Sequence, residues 1–290
     1  MLGQLLYVVL PVFGVAAAGW VFAGFRRVEL GTLTDIVLYL AAPALVFHSL
    51  ASRPLTAGAM AAVGGGAVFQ VLVCGAVAWS VFRALRTPAR GLMLATMFPN
   101  TGNLGLPLAL FAFGQEGLAA AVIVFTAVTV VHYSLGLMVV SGSAHPAAAL
   151  KMPLLHAAVF GIVSAMTGWL PPEPVMRGLE LLGEATVPAM LLSLGIRMRS
   201  VRLRAPGRAL LAVVLRMAPG LLAALAWVHV FGLEGPQRGV VVVTGVLPSA
   251  VMNFVLAEAY DQQGEEVASA ILLGTAVSVV VVPLVLATLV

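Results

Sequence analysis

Two short polar runs stand out in an otherwise apolar chain: Pro99-Asn100-Thr101-Gly102-Asn103 and Pro248-Ser249-Ala250-Val251-Met252-Asn253. Amides and hydroxyls stay uncharged at physiological pH, so the chemistry these runs offer is recognition by hydrogen bonding. A small anion is the natural ligand. Proline breaks a helix and frees backbone groups, and the helix that restarts after the break presents amides and about half a positive charge. Four ionisable residues in apolar stretches could assist. Arg216 could anchor a carboxylate, and Glu184, Glu258 and His132 could carry protons. A structural ion pair, Glu184–Arg216 or Glu258–Arg216, is the competing reading. There is no nucleophile elbow, Walker glycine loop, aspartyl dyad or set of metal-ligand spacings, so we expect neither enzyme, cofactor nor metal site.

The elements that must position these residues are membrane helices. Hydrophobic residues make up 61% of the chain and charged ones 9%, with mean hydropathy +1.09, against about 25% charged in a soluble domain. Ten segments of spanning length can be marked, at 2–24, 32–51, 57–82, 90–114, 118–140, 153–171, 175–196, 207–232, 237–260 and 265–289. The first lacks a basic leader and is long enough to span, so it reads as a retained helix. Cys74 reads as a buried, inert thiol.

Charge placement gives an orientation. Odd-numbered connections hold Arg26, Arg27, Arg83, Arg86, Arg90, Lys151, Arg197, Arg199, Arg202, Arg204 and Arg208. Even-numbered ones hold only Arg53, Arg177 and Arg238. The positive-inside rule then puts the odd connections in the cytoplasm and both termini outside, in a cell (inner or plasma) membrane. The ninth connection is an exception, with no positive charge. Anionic lipid accounts for the basic clusters, and nucleic-acid binding is not expected.

The halves 1–145 and 150–290 resemble each other. Val12-Phe13-Gly14 matches Val159-Phe160-Gly161, Pro43 matches Pro188, and Arg90-Gly91 matches Arg238-Gly239. FGQEG (113–117) aligns with YDQQG (260–264), and TAVTVV (126–131) with TAVSVV (275–280), at offsets of 145 to 149. Five spans per repeat, an odd number, would make the second copy inverted, a plan belonging mainly to secondary transporters.

The polar runs fall in segments four and nine, with Pro99 nine residues after Arg90 and Pro248 ten after Arg238. At 1.5 Å per residue both lie near mid-membrane. Gly102 loosens the first break, and Pro107 suits the first turn of a new helix. The second has fewer glycines, so a kink or an unwinding is open. Crossing the two would gather Asn100, Asn103, Ser249 and Asn253. Asp35 and Glu180 read as interfacial, His48 and His156 as segment-end packing, and His145 as a loop residue.

PNTGNLGLPL (99–108) and LPSAVMNFVLAEAY (247–260) together resemble the auxin efflux carrier family, within the bile acid:sodium symporter-like fold group. The resemblance covers essentially the whole chain. It implies an all-α polytopic membrane protein of ten transmembrane helices in two inverted repeats of five, with broken helices four and nine crossing. It further implies a scaffold from helices 1, 2, 6 and 7, often a homodimer contact, and an elevator-like transport domain from helices 3–5 and 8–10. The family's Pro-Asn maps onto Pro99-Asn100 and its second proline onto Pro248. Plant members carry proline where this chain has Asn253, and their polar contact on segment five has no clear counterpart here. The bacterial branch is similar to permeases for malonate, malate and related carboxylates. The implied activity is proton-coupled or passive movement of small organic anions, with sodium coupling or a channel or sensor role as rivals.

Overall fold

The computed structural model describes residues 2–52, 56–143 and 150–289; Arg53 and His145 lie outside them. Fourteen α-helical pieces follow one another: α1 Leu2–Phe25, α2 Leu30–Ile36, α3 Ala42–Ser52, α4 Ala57–Ala84, α5 Arg90–Met97, α6 Leu106–Val131, α7 Leu137–Ser141, α8 Pro153–Thr167, α9 Glu173–Glu184, α10 Thr186–Ser200, α11 Pro206–Phe231, α12 Gly235–Val246, α13 Val251–Ala259 and α14 Gly264–Leu286. Wider π turns at Val37–Ala41, Thr101–Gly105 and His132–Gly136 lead into α3, α6 and α7.

Seven of the continuous helical stretches are long and apolar enough to cross a membrane. This count is lower than the ten segments marked on the sequence because segments four and nine are each divided. α5 stops at Met97 and α12 at Val246, and each is followed by extended backbone. Segment six is the short α8, and segments four and five run together through α6, which bends at Gly114 (φ 65°, ψ −155°). Only glycine adopts that conformation readily.

The first break is shorter than its composition suggests. Helical turns resume at Thr101, not at Pro107, which sits where the π turn passes into α6. A ring at that point would collide with a carbonyl of the preceding α-turn, and the wider π turn makes room for it. The second break is a complete interruption: Leu247 and Ala250 are both extended (ψ 141° and 142°).

Packing divides the helices into neighbourhoods. α1 lies along α10, and α3 packs on α8 and α9; α11 is surrounded by α4, α5, α12 and α14. The α1–α10 contact is a close backbone approach. A Cβ on Gly195 would fall 1.8 Å from the Ala16 carbonyl, and one on Gly19 would fall 2.5 Å from that of Leu192. Small residues permit such contact between apolar helices, where dispersion replaces the hydrophobic drive.

The acidic ninth connection is tied to the basic ones. Arg208 reaches Glu266 at 3.0 Å and the Pro88 carbonyl at 2.6 Å, Arg204 lies 3.9 Å from Glu265, and the Gly91 amide donates to Gln263 at 2.9 Å. The missing positive charge there is thus supplied by a neighbouring connection.

Candidate functional site

The two breaks cross and hold each other through backbone hydrogen bonds. The Asn100 amide donates to the Pro248 carbonyl at 2.8 Å, the Ala250 amide donates to the Phe98 carbonyl at 2.9 Å, and Pro99 faces Ser249 as an antiparallel bridge. The Pro248 carbonyl would otherwise be orphaned in an apolar interior, at a cost of several kcal/mol, and the Phe98 carbonyl would keep only the Asn253 side chain. Each broken segment is therefore the other's partner.

The asparagines divide the remaining work. Asn100 Oδ1 accepts the Asn103 amide at 3.1 Å and so caps the second half-helix. With that oxygen committed, Asn100 Nδ2 is left as a buried donor that completes no hydrogen bond within the protein. Asn253 instead donates Nδ2 to the Phe98 carbonyl at 3.0 Å and to Ser249 Oγ at 2.9 Å, stitching the crossing together. Its Oδ1 is buried and unbonded beside His132, whose Nε2 is unbonded too. His132 stacks flat on Phe98, with ring centroids 4.1 Å apart and planes 7° apart.

A cavity of about 130 Å³ lies against the crossing, where roughly 10–15 Å³ admits one water on the same measure. Asn100, Thr101, Gly102 and Asn103 line one side, with Ala250, Val251 and Met252 beside them. His132 and Thr129 line it from the α6 side, and Thr34, Met190, Ser193 and Arg197 close it from α2 and α10. Of the residues singled out on the sequence, the structure brings these four from the first break together with His132. Pro248 and Ser249 face a separate small gap shared with Arg216, and Asn253 is fully buried within the crossing.

Arg216 corrects the ion-pair expectation. It is 1% exposed, and neither Glu184 nor Glu258 pairs with it; both acids lie on the exposed surface. Its guanidinium donates to carbonyls: Thr96 at 3.4 Å and Met97 at 3.2 Å at the end of α5, with Thr244 at 3.2 Å, Gly245 at 3.5 Å and Leu247 at 3.3 Å at the end of α12. Cys74 Sγ, read as inert, is a further acceptor at 3.2 Å. Gly220 and Gly245 set this reach, for a Cβ on either would meet the other's backbone oxygen at 2.4 or 2.7 Å. The partners missing from the sequence reading are thus main-chain oxygens.

Arg197 is the cavity residue that sequence reasoning missed. It was assigned to a cytoplasmic connection, but α10 continues through Ser200 and carries Arg197 inside its last turn. The signal available was spacing: Met190, Ser193 and Arg197 share one face at i, i+3 and i+7.

Broken helices crossing inside a bundle of apolar helices, with polar groups turned into a cavity at the crossing, define a membrane transporter. The sequence pattern of a family described as "Membrane transport protein" matches residues 5–152 and again 138–286. The chain belongs to this family, that of the auxin efflux carriers. Among curated relatives, it is 30% identical to an uncharacterized transporter of Methanothermobacter thermautotrophicus over 266 residues, covering 88% of each chain. It is 27% identical to an uncharacterized transporter of Methanocaldococcus jannaschii, covering 91% of each. A protein of Rhizobium meliloti named "Putative malonate transporter" is 26% identical over 302 residues, covering 94% of this chain and 92% of that one.

Proposed function

We propose that the protein is a secondary carrier for small organic anions, with the carboxylate bound at the crossing. The observation that carries this reading is Asn100 Nδ2, a buried donor 3% exposed and unbonded, at the head of a half-helix facing the cavity. A half-helix N-terminus supplies about half a positive charge, and the amide supplies the directed bond. Thr101, Gly102 and Asn103 shape the pocket wall, while Pro99, Pro107, Pro248, Ser249 and Asn253 hold the breaks. The name of the Rhizobium relative favours malonate or a similar acid as the substrate.

The architecture we assign is ten spans in two inverted repeats, at 1–145 and 150–290, working as an elevator. Helices 1, 2, 6 and 7 form the scaffold and carry the homodimer face; the rest move. The separate neighbourhoods of α1–α10 with α3–α8–α9, and of α4, α5, α11, α12 and α14, support this division. Lipid of the cell membrane surrounds both. With basic connections inside and both termini outside, the cavity reaches the cytoplasmic side, because Leu30, Met152 and Arg197 adjoin basic connections.

Sodium coupling is disfavoured. In broken-helix transporters, carbonyls at half-helix C-termini coordinate the coupling cation. Here Arg216 occupies those carbonyls. A proton route through His132, or simple uniport, fits the site better. Glu184 and Glu258, both surface residues, are remote candidates by comparison. The test is counterflow of labelled malonate, succinate and malate in proteoliposomes, with sodium or choline and with or without a pH gradient. We expect saturable, sodium-independent uptake that falls at least about tenfold in Asn100→Ala, the scale of one lost charge-assisted hydrogen bond. Sodium-dependent uptake, or saturable uptake unchanged by Asn100→Ala, would refute the assignment.

A further inference from the structure

We infer that Arg197 forms a second anion site in the same cavity, so that the preferred substrate carries two carboxylates. The inference rests on the carboxylate reading above and adds a locus that the crossing does not supply.

Arg197 is half-buried, and it lines the same cavity as Asn100. Three basic residues that follow it in the chain are otherwise engaged. Arg199 lies over the Trp20 ring and donates to the Trp20 carbonyl, Arg204 lies by Glu265, and Arg208 pairs with Glu266. No carboxylate among the described residues lies within ion-pair distance of Arg197. Its guanidinium stands 5.6 Å from the Phe254 ring, a contact that steadies the cation and leaves its N–H fork available. A planar fork of this kind matches a carboxylate bidentately.

Spacing sets the ligand. Met190 packs on Gly102 in the first break, since a Cβ there would lie 3.4 Å from Met190 Cε. Arg197 is seven residues further along α10, roughly 10 Å at 1.5 Å per residue, a gap that a long side chain leaning toward the helix N-terminus can partly bridge. One carboxylate at Asn100 and another at Arg197 are therefore the two ends of one small diacid. A monocarboxylate of equal size satisfies one end and leaves the other without its anion.

The experiment compares KM for each labelled diacid with KM for its monoamide (malonate with malonamate, succinate with succinamate), which keeps shape and removes one charge. Wild-type protein should prefer the diacid by about 10- to 100-fold, the worth of a charge-assisted contact. Arg197→Gln should raise KM for the diacid by that factor, leave KM for the monoamide unchanged and erase the preference; Arg197→Lys should restore part of it. Equal loss for both compounds, or a preference that survives Arg197→Gln, overturns the inference. So does a wild-type protein without diacid preference, a result that needs no variant to fold. Wild-type protein that transports no carboxylate at all overturns the transport reading itself, and the two failures are distinct.

Discussion

Replacing Arg216 by Met should destabilise the protein without changing the substrate's apparent affinity in the folded fraction. The side chain is nearly isovolumetric along its stem but removes the charge and all five N–H donors. Five carbonyls, at the ends of α5 and α12 and in the following extended residue, would lose a donor, although Thr244 keeps the Leu247 amide. Each buried unsatisfied group costs about 1–3 kcal/mol, although relaxation makes the sum less than additive. Several such groups, reduced by relaxation, give about 3–5 kcal/mol as the expected loss. Arg216→Lys keeps the charge but has three donors and no fork, so about half of that loss is expected. In a protein of this size the full loss lowers Tm on the order of 10 °C. Tryptophan fluorescence during heating in detergent reads Tm, and counterflow at low temperature reads KM. If Arg216→Met keeps wild-type Tm while KM rises at least tenfold, Arg216 is a substrate anchor and the capping argument is wrong.

Two further outcomes follow from contacts elsewhere. Gly195→Ala should cost about 1–3 kcal/mol, because its Cβ would meet the Ala16 carbonyl at 1.8 Å; Gly14→Ala in the same helix pair, with nothing within 4 Å, should leave Tm unchanged or raise it, and equal effects would refute the close-packing account. His132→Gln keeps a polar group beside Asn253 but cannot ionise, so counterflow should persist while stimulation by a pH gradient disappears; stimulation that survives assigns proton coupling elsewhere.

The two breaks were legible because their signal is local. Proline, glycine and amide residues inside an apolar run contradict helix continuation whatever surrounds them. What the breaks bond to was legible only in outline. Sequence inspection counts side chains, and so it sought a carboxylate for Arg216, whereas its partners are carbonyls exposed by those same breaks. Pro107 misled for a related reason: a π turn ahead of it absorbs a ring that an α-turn would not. Arg197 was hidden by a boundary. Hydropathy ends a segment at the first charge, but the backbone of α10 continues one turn past it. The acidic ninth connection looked anomalous because ion pairing between connections has no signature along the chain.

The proposed preference of the crossing for an anion rests on how the helix ends are balanced. Two half-helices end there and two begin, each end bearing about half a charge, negative at the C-termini and positive at the N-termini. Left alone, these four ends would nearly cancel, and the crossing would attract neither sign strongly. Arg216 breaks that symmetry. Its single positive charge sits on the carbonyls of α5 and α12 and offsets both negative ends. The positive ends, at Thr101 and Val251, meet neutral partners such as the Asn100 side chain and adjoin the cavity. On the proposed assignment, Arg216 would bias the crossing toward a negative ligand from behind the helix ends, while Asn100 and Arg197 would face it from within the cavity.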